Sequence, residues 1–199
     1  MKDYVVLSSE YGSAARLVGK HLKEVCGFNF YNEEDILQKT AELSDFDADT
    51  LHAYDNYLGK IYFDAEKAAE IAKNFPEDMP KKVFDVYHKT IDKIISEGPC
   101  LLMERGADIF LRGKVDFLNV FVYTIDMQKK IDRGITIGKM KPEEVVQNIL
   151  EADMQRKNFH NMFSNVEWGN RKSYDVCLNS DVLGIETCAL IVENLVKIL

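Results

Sequence analysis

The strongest indication of the fold is the segment Val5-Val6-Leu7-Ser8-Ser9-Glu10-Tyr11-Gly12-Ser13-Ala14-Ala15-Arg16 near the start of the chain. It begins as an apolar run typical of a buried strand and continues into a turn of small and polar residues. After the turn, apolar residues recur at helical spacing as far as Cys26, and Gly27 ends the predicted helix. The first turn of a helix offers unpaired N–H groups and a partial positive charge to an anion. The segment therefore favours a phosphate-binding turn between a strand and a helix, with an ordinary strand-to-helix turn as the alternative.

Apolar runs of strand length alternate with helical patterns along the rest of the chain. The further predicted strands are Phe28–Tyr31, Cys100–Met103, Asp116–Tyr123 and Tyr174–Asn179. The predicted helices are 79–97, 126–133, 185–199 and a long one from Lys141 towards Asn165, with Pro142 in its first turn. Because this alternation is typical of a parallel sheet covered on both faces, we expect an α/β fold. Residues 33–75 are rich in acidic and aromatic residues at helical spacing, which predicts a helical insertion.

Length and charge restrict the class of protein. The chain has 199 residues, which suits one domain, and its 25 Lys and Arg residues against 33 Asp and Glu residues give a formal net charge of −8. An acidic surface repels a phosphate backbone, so we expect no nucleic acid as a partner, although a small anion can still bind in a local positive pocket. No apolar stretch is long enough to span a membrane and no signal peptide is visible, so we expect no membrane partner.

The cysteines and histidines indicate the compartment and argue against a metal site. Cys26, Cys100, Cys177 and Cys188 are widely spaced in apolar surroundings, as free thiols in a reducing compartment are, so we expect a cytoplasmic protein. No histidine lies at metal-ligand spacing from a cysteine or from another histidine. We therefore expect no metal-binding residues.

Two further segments place an arginine near an acidic residue. Ligands of open parallel sheets bind beyond the carboxyl ends of the strands, and Arg105 and Asp108 follow the third predicted strand at that edge. Arginine suits a bidentate contact with phosphate, while an ion pair of Arg105 with Glu104 or Asp108 is the alternative. In the long predicted helix, Asp153 and Arg156 share one face, and here the alternative is a solvated surface pair.

Seven segments occur in the order found in one known family. They are Ser8–Arg16, Gly27–Asn32, Met103–Asp108, Asp153–His160, Trp168–Gly169, Tyr174–Ser180 and Leu183–Glu186. Together they resemble the cytidylate kinase-like family, a branch of the P-loop nucleoside monophosphate kinases. The similarity extends over nearly the whole chain, and Tyr174–Ser180 is its most distinctive part.

The resemblance implies an architecture and a set of ligands. The fold would be the three-layer sandwich of P-loop kinases, with residues 1–199 in a single kinase-like domain. Residues 33–75 would take the place of the monophosphate-binding insertion, and residues 133–165 would supply a lid. ATP and Mg²⁺ would be the cofactors, and the partner would be a nucleotide or another small phosphorylated ligand.

The resemblance also implies roles for individual residues. The residues implied to hold the phosphates of the donor are Gly12, Ser13, Ala14, Ala15 and Arg16. The implied catalytic residues are Arg156, Asp153 and Arg105. The implied contacts to the acceptor are Arg105, Asp108 and Tyr31.

The chain departs from the family pattern in its P-loop, which is degenerate. Ser9 stands in place of an arginine, and Ala14 and Ala15 stand in place of two glycines. An ordinary P-loop has its lysine where this chain has Ala15, and the methyl groups restrict the conformations open to the loop. Glu104 stands in place of a glycine, which brings a negative charge to a position where phosphates should bind.

Three functions remain open on these residues. The leading hypothesis is ATP-dependent phosphoryl transfer to a nucleoside monophosphate or a related small acceptor. The alternative is a catalytically inactive pseudokinase that binds a nucleotide or a partner for regulation, and the third is a purely structural interaction domain. The aromatic-rich insertion also offers a surface for a homodimer.

Overall fold

The computed structural model describes residues 1–199, and five parallel strands form its single sheet. The strands are β1 (Tyr4–Ser9), β2 (Asn29–Tyr31), β3 (Cys100–Met103), β4 (Leu118–Tyr123) and β5 (Val176–Asn179). Their order is β2-β3-β1-β4-β5, which puts β1 in the middle of the sheet. The expected α/β fold with an all-parallel sheet is therefore confirmed. The carboxyl ends of all five strands lie at one edge, where the loops after β1 and β3 lie side by side.

Helices account for most of the remaining chain. They are α1 (Ala15–Cys26), α2 (Glu33–Glu42), α3 (Ala48–Lys60), α4 (Ala65–Ala72), α5 (Met79–Ser96), α6 (Ala107–Leu111), α7 (Met127–Thr136), α8 (Val145–Phe163), α9 (Ser180–Leu183) and α10 (Ile185–Ile198). A short 3₁₀ turn covers Arg171–Ser173. None of these helices has both the length and the apolar character that a membrane-spanning helix requires.

The alternation of side chains along β1 separates two hydrophobic cores. Val5 and Leu7 point to one face and pack with apolar residues of α1 and α10. Val6 points to the other face and packs with α2, α3, α5 and α8. Because successive side chains of a strand point to opposite faces, a continuous apolar run is what a sheet covered on both sides requires. The result is a three-layer sandwich.

The insertion helix α3 lies directly against α8. Asn158 donates a hydrogen bond from Nδ2 to the carbonyl oxygen of Leu58 (2.7 Å), and Lys60 forms an ion pair with Glu151 (2.6 Å). A Cβ atom at Gly59 would lie 3.0 Å from the carbonyl oxygen of Glu151, so this glycine permits a close approach of the two backbones. Helices of the segments 33–75 and 133–165 are therefore packed together.

The predicted start of the long helix is wrong. Residues 142–144 form a turn, closed by a hydrogen bond from the Glu144 N–H to the carbonyl oxygen of Lys141 (3.0 Å), and α8 begins only at Val145. The side chain of Val145 is buried against Gly134 of α7, where an added Cβ would lie 2.7 Å from it. This tertiary contact sets the helix start and overrides the preference of Pro142 for a first helical turn.

Candidate functional site

The loop between β1 and α1, residues 10–14, has two residues in the left-handed conformation. The φ angles are 75° at Gly12 and 66° at Ala14, which is unusual for a residue with a side chain. The backbone N–H groups of Ala14, Ala15 and Arg16 donate no hydrogen bond to any group of the protein. Such N–H groups at a helix N-terminus favour an anion. We call residues 9–16, from the last residue of β1 into the first turn of α1, the phosphate loop.

Basic side chains from α7 and α8 fix the backbone of the phosphate loop. Arg133 donates a hydrogen bond to the carbonyl oxygen of Gly12, and Arg156 donates one to the carbonyl oxygen of Ser9 (3.0 Å). The N–H of Tyr11 donates to Asp153 Oδ1 (2.5 Å). Asp153 and Arg156, which the sequence placed on one helix face, therefore both contact this region.

A second set of charges supports the same loop from α7. Lys130 is buried, with its Nζ atom 2.8 Å from Glu10 and 3.3 Å from Asp153. Burial raises the pKa of Asp153, while the Tyr11 N–H and Lys130 oppose that increase. Gly12 also permits the close approach of α7, because a Cβ there would lie 3.0 Å from Cα of Lys130. The loop is thus held by α7 and α8 together.

An open cleft of about 390 Å³ lies above the phosphate loop. All five residues of the loop implied to bind donor phosphates line it. Its basic residues are Arg16, Lys20, Arg133 and Arg156, and its acidic residues are Glu10 and Glu33. The cleft therefore carries four cations in a chain whose net charge is −8, which suits an anionic ligand.

Glu33 lies between the two predicted catalytic arginines. Asn32 caps α2 by accepting the N–H of Glu34 (2.9 Å), which places Glu33 at the first position of the helix. Arg156 donates to both carboxylate oxygens of Glu33 (3.3 Å each). Burial acts to raise the pKa of Glu33, but Arg156 and Arg105 hold it below its ordinary value.

The turn after β3, residues 104–106, has an unusual backbone. The φ angles of Glu104, Arg105 and Gly106 are 64°, 57° and 61°, so three successive residues are left-handed. Each such residue other than glycine costs about 1–3 kcal/mol and is found mostly at functional sites. The turn points Glu104 into the interior, where its Oε1 atom accepts a hydrogen bond from the Ser9 hydroxyl (2.7 Å). We call residues 104–106 the rim turn.

A small pocket, which we call the side cavity, adjoins the cleft beside the rim turn. Its volume is about 10 Å³, and it shares Glu33 and Arg156 with the cleft. Glu104, Arg105 and Trp168 also line it. Burial raises the pKa of Glu104 to about 7, although Arg156, whose Nη1 atom lies 3.9 Å away, acts to lower it.

Arg105 does not have a free guanidinium group. Its Nη1 atom donates to Asp55 of α3, and its Nε atom donates to the carbonyl oxygen of Glu33 (3.4 Å). The guanidinium also lies over the ring of Tyr87, 6.0 Å from its centre. Arg105 and Asp55 are both buried, so the pair joins the rim turn to the insertion.

Two residues that the resemblance assigned to the acceptor do not line the cleft or the side cavity. The Tyr31 hydroxyl donates to Glu97 (3.2 Å), because the alternation along β2 directs this side chain towards the end of α5. Asp108 is buried in the first turn of α6, where its Oδ2 atom lies 3.4 Å from Nε2 of His160. The contacts that hold these two side chains are therefore within the protein.

The residues near the phosphate loop do not fit a metal site built by the protein. Ala14 to Leu17 have no hydroxyl or carboxylate side chain, and no three His, Cys, Asp or Glu residues cluster to hold an ion. The residues of this region do fit phosphate, because the cleft is lined by four basic residues and by three residues whose N–H groups have no protein partner.

Sequence reasoning missed Arg133, Lys20, Glu33 and Asp55. One signal could have indicated Arg133, since Gly134 and Gly138 follow it closely, just beyond the end of the predicted helix. A Cβ at Gly138 would lie 2.4 Å from the Tyr11 hydroxyl, so this glycine marks a close approach to the phosphate loop. Asp55 had no such signal, because its partner Arg105 is 50 positions away in the sequence.

Comparison with known proteins identifies the relatives of the chain. A model of the cytidylate kinase-like family matches residues 4–182. Among solved structures, an uncharacterized protein from Eubacterium ventriosum ATCC 27560 is similar with a TM-score of 0.70, at 15% identity over 99% of both chains. TT1252 from Thermus thermophilus has a TM-score of 0.56, at 14% identity over 98% of this chain and 97% of that one.

A third similar structure is shikimate kinase from Bacteroides thetaiotaomicron. Its TM-score is 0.54, at 10% identity over 98% of both chains. No curated protein sequence matches the chain. At these identities the similar structures establish the fold alone.

Proposed function

The chain belongs to the cytidylate kinase-like family, and we propose that it transfers a phosphoryl group from ATP to a nucleoside monophosphate or related small acceptor. The observation that carries this proposal is the phosphate loop. Ala14, Ala15 and Arg16, whose N–H groups have no partner within the protein, line a cleft that also carries basic side chains. An anion of several charges, such as a triphosphate, matches that arrangement better than any neutral ligand does.

The proposed roles follow from what phosphoryl transfer needs. The reaction depends mainly on positioning and on neutralising charge, so arginines take the place of a nucleophile. Arg156 and Arg133 lie where they can contact both the loop backbone and a phosphate in the cleft. Asp153 is a positioning residue in this proposal, because it holds the Tyr11 N–H. Arg105 keeps its proposed place beside the acceptor.

The family suggests ATP and Mg²⁺, and the residues support these two ligands unequally. The phosphate loop fits the triphosphate, whereas no cluster of side chains fits a metal ion. The proposed roles of the residues therefore depend on phosphate binding alone. We also propose that residues 33–75 form an acceptor-binding insertion and that residues 133–165 form a lid. A cytoplasmic location is also proposed, because all four cysteines are free thiols.

A second function, a pseudokinase that binds a nucleotide without catalysis, is favoured by one observation. The position of the P-loop lysine holds Ala15, and Arg133 and Arg156 already donate hydrogen bonds to the loop backbone. If these arginines stay bound to the loop, they neutralise a bound phosphate but do not follow it through the reaction.

Calorimetry and a turnover assay on the same protein test the proposal. We expect ATP to bind, with affinity reduced at least tenfold by Arg133→Gln and unchanged by Arg171→Gln, an exposed arginine outside the cleft. We also expect ADP release with ATP, Mg²⁺ and a panel of acceptors. Binding without turnover for any acceptor would support the pseudokinase, and absence of ATP binding would contradict both functions.

A further inference from the structure

The rim turn, beside which the acceptor is proposed to bind, holds a buried carboxyl group that the proposed donor-phosphate binding does not use. Glu104 is 3% exposed, and it contacts Ser9 of β1 while Arg156 of α8 lies nearby. The strained rim turn is what places this side chain in the interior. Conformational free energy spent in this way indicates a function for the group that is held.

The same region offers no free cation for the phosphate of an acceptor. Arg105 is bound to Asp55 and to the Glu33 carbonyl oxygen, and its guanidinium is buried. Arg156 is shared among Ser9, Glu33 and the donor cleft. A second phosphate group at the rim turn would face the carboxyl groups of Glu33 and Glu104 with no unpaired cation beside it.

The size of the side cavity points to a small polar group. A volume of about 10 Å³ holds about one water molecule, or a hydroxyl group of the same size. A phosphate group, with four oxygen atoms, does not fit that space. The rest of an acceptor could lie in the adjoining cleft, which is much larger.

From these observations we propose that the acceptor is a small alcohol without a phosphate group, whose hydroxyl enters the side cavity and gives its proton to Glu104. This inference rests on the proposed phosphoryl transfer, but it replaces the nucleoside monophosphate with an alcohol as the acceptor. Glu104 is then the general base, and Arg156 stabilises both its carboxylate and the donor phosphates.

In the proposed step, the terminal phosphoryl group of bound ATP is transferred to the oxygen of the bound alcohol. The alcohol oxygen forms a bond to the terminal phosphorus, and the bond from that phosphorus to its bridging oxygen breaks. ADP leaves with the electron pair of that bond, and the alcohol proton moves to a carboxylate oxygen of Glu104. The proton then passes to solvent.

The surroundings of Glu104 suit it to accept a proton near neutral pH. Burial raises its pKa to about 7, and the nearby charge of Glu33 adds to that effect. Arg156 and the Ser9 hydroxyl act in the opposite direction. Arg105 and His160 are the other ionisable groups lining the side cavity. A base with a pKa near the working pH is the most effective kind.

An acceptor panel tests the substrate class. ADP release is measured with ATP and Mg²⁺ in the presence of glycerol, ribose, myo-inositol or cytidine, and separately with AMP, CMP, UMP or GMP. We expect kcat/KM for at least one alcohol to exceed that for every monophosphate by tenfold or more. A preference for a monophosphate overturns this inference but leaves phosphoryl transfer standing, whereas no turnover in either series overturns both.

A variant pair tests the role of Glu104. We expect Glu104→Gln to lower kcat for the preferred alcohol by about 10²–10⁴-fold, with ATP affinity in calorimetry unchanged within twofold. The acid limb of the pH profile near pH 7 should be lost with it. Glu193→Gln, at the ion pair with Lys197 on α10, serves as the matched control and should retain wild-type kcat. A Glu104→Gln protein that binds ATP and keeps its kcat and acid limb contradicts the assignment.

Discussion

At the scale of single residues, the site contains left-handed backbone conformations at residues that have a Cβ atom, for which these conformations cost free energy. Ala14, Glu104 and Arg105 are all left-handed, and they lie in the two turns that follow β1 and β3. A left-handed residue with a Cβ atom costs roughly 1–2 kcal/mol. The first turn gains unpaired N–H groups from this geometry, and the second gains a buried carboxyl group.

Ala14→Gly tests the conformational free energy that the left-handed Ala14 costs in the phosphate loop. Glycine removes the strain of roughly 1–2 kcal/mol but adds about 0.5–1 kcal/mol of chain entropy, so we expect a stabilisation of about 0–1 kcal/mol. Urea unfolding measures it. The control is Ala69→Gly in the exposed part of α4, where we expect a loss of about 1 kcal/mol. Equal losses for the two variants would show that Ala14 is not strained.

Glu104 should make the free energy of unfolding depend on pH. Its pKa is about 7 in the folded protein and 4.5 when exposed, so the folded state binds the proton more tightly. The stability from this group is therefore complete below pH 4.5 and is lost as the pH rises through 7. Glu104→Gln cannot lose a proton, and its stability relative to wild type should increase by about 3 kcal/mol between pH 4 and pH 8.

Urea unfolding across that pH range provides the measurement. Glu193→Gln, whose carboxylate is paired with Lys197 at the surface, should show no such increase. A constant difference between Glu104→Gln and wild type from pH 4 to pH 8 would mean that the Glu104 carboxyl group titrates as an ordinary exposed one.

At the scale of elements, the phosphate loop depends on helices far from it in sequence. Arg133 of α7 and Arg156 of α8 hold its carbonyl oxygens, and α8 in turn packs on α3 of the insertion. The α7–α8 contact is close because Gly134 faces Val145. Changes in the α7–α8 contact should therefore also alter the phosphate loop.

Gly134→Ala tests this contact. The added Cβ would lie 2.7 Å from Cγ2 of Val145, so we expect a loss of about 1–3 kcal/mol in the free energy of unfolding, less the small gain of alanine in a helix. Val145→Ala removes the clash. The loss in the double variant should therefore be smaller than the sum of the losses in the two single variants. Additive losses would show that the two side chains do not meet.

At the scale of the whole molecule, the fold was accessible from the sequence while much of the site was not. The strands and most helices follow from local periodicity, as at β3, whose four apolar residues were predicted with both ends correct. The start of α8 depended on the Val145 contact, and the partner of Gly12 lies 121 positions away in Arg133. Long-range pairs of this kind leave no local pattern, so the sequence predicted the phosphate loop without the groups that hold it.

Titration of the ¹⁵N-labelled protein with ATP tests phosphate binding at the start of α1 most directly. The unpaired amides of Ala14, Ala15 and Arg16 should show the largest chemical-shift changes, since hydrogen bonds to phosphate form there. The chemical shifts of the α4 amides, which lie outside the cleft, should not change. Saturable ATP binding that leaves the three amides unshifted, or no binding at all, would contradict the proposed site.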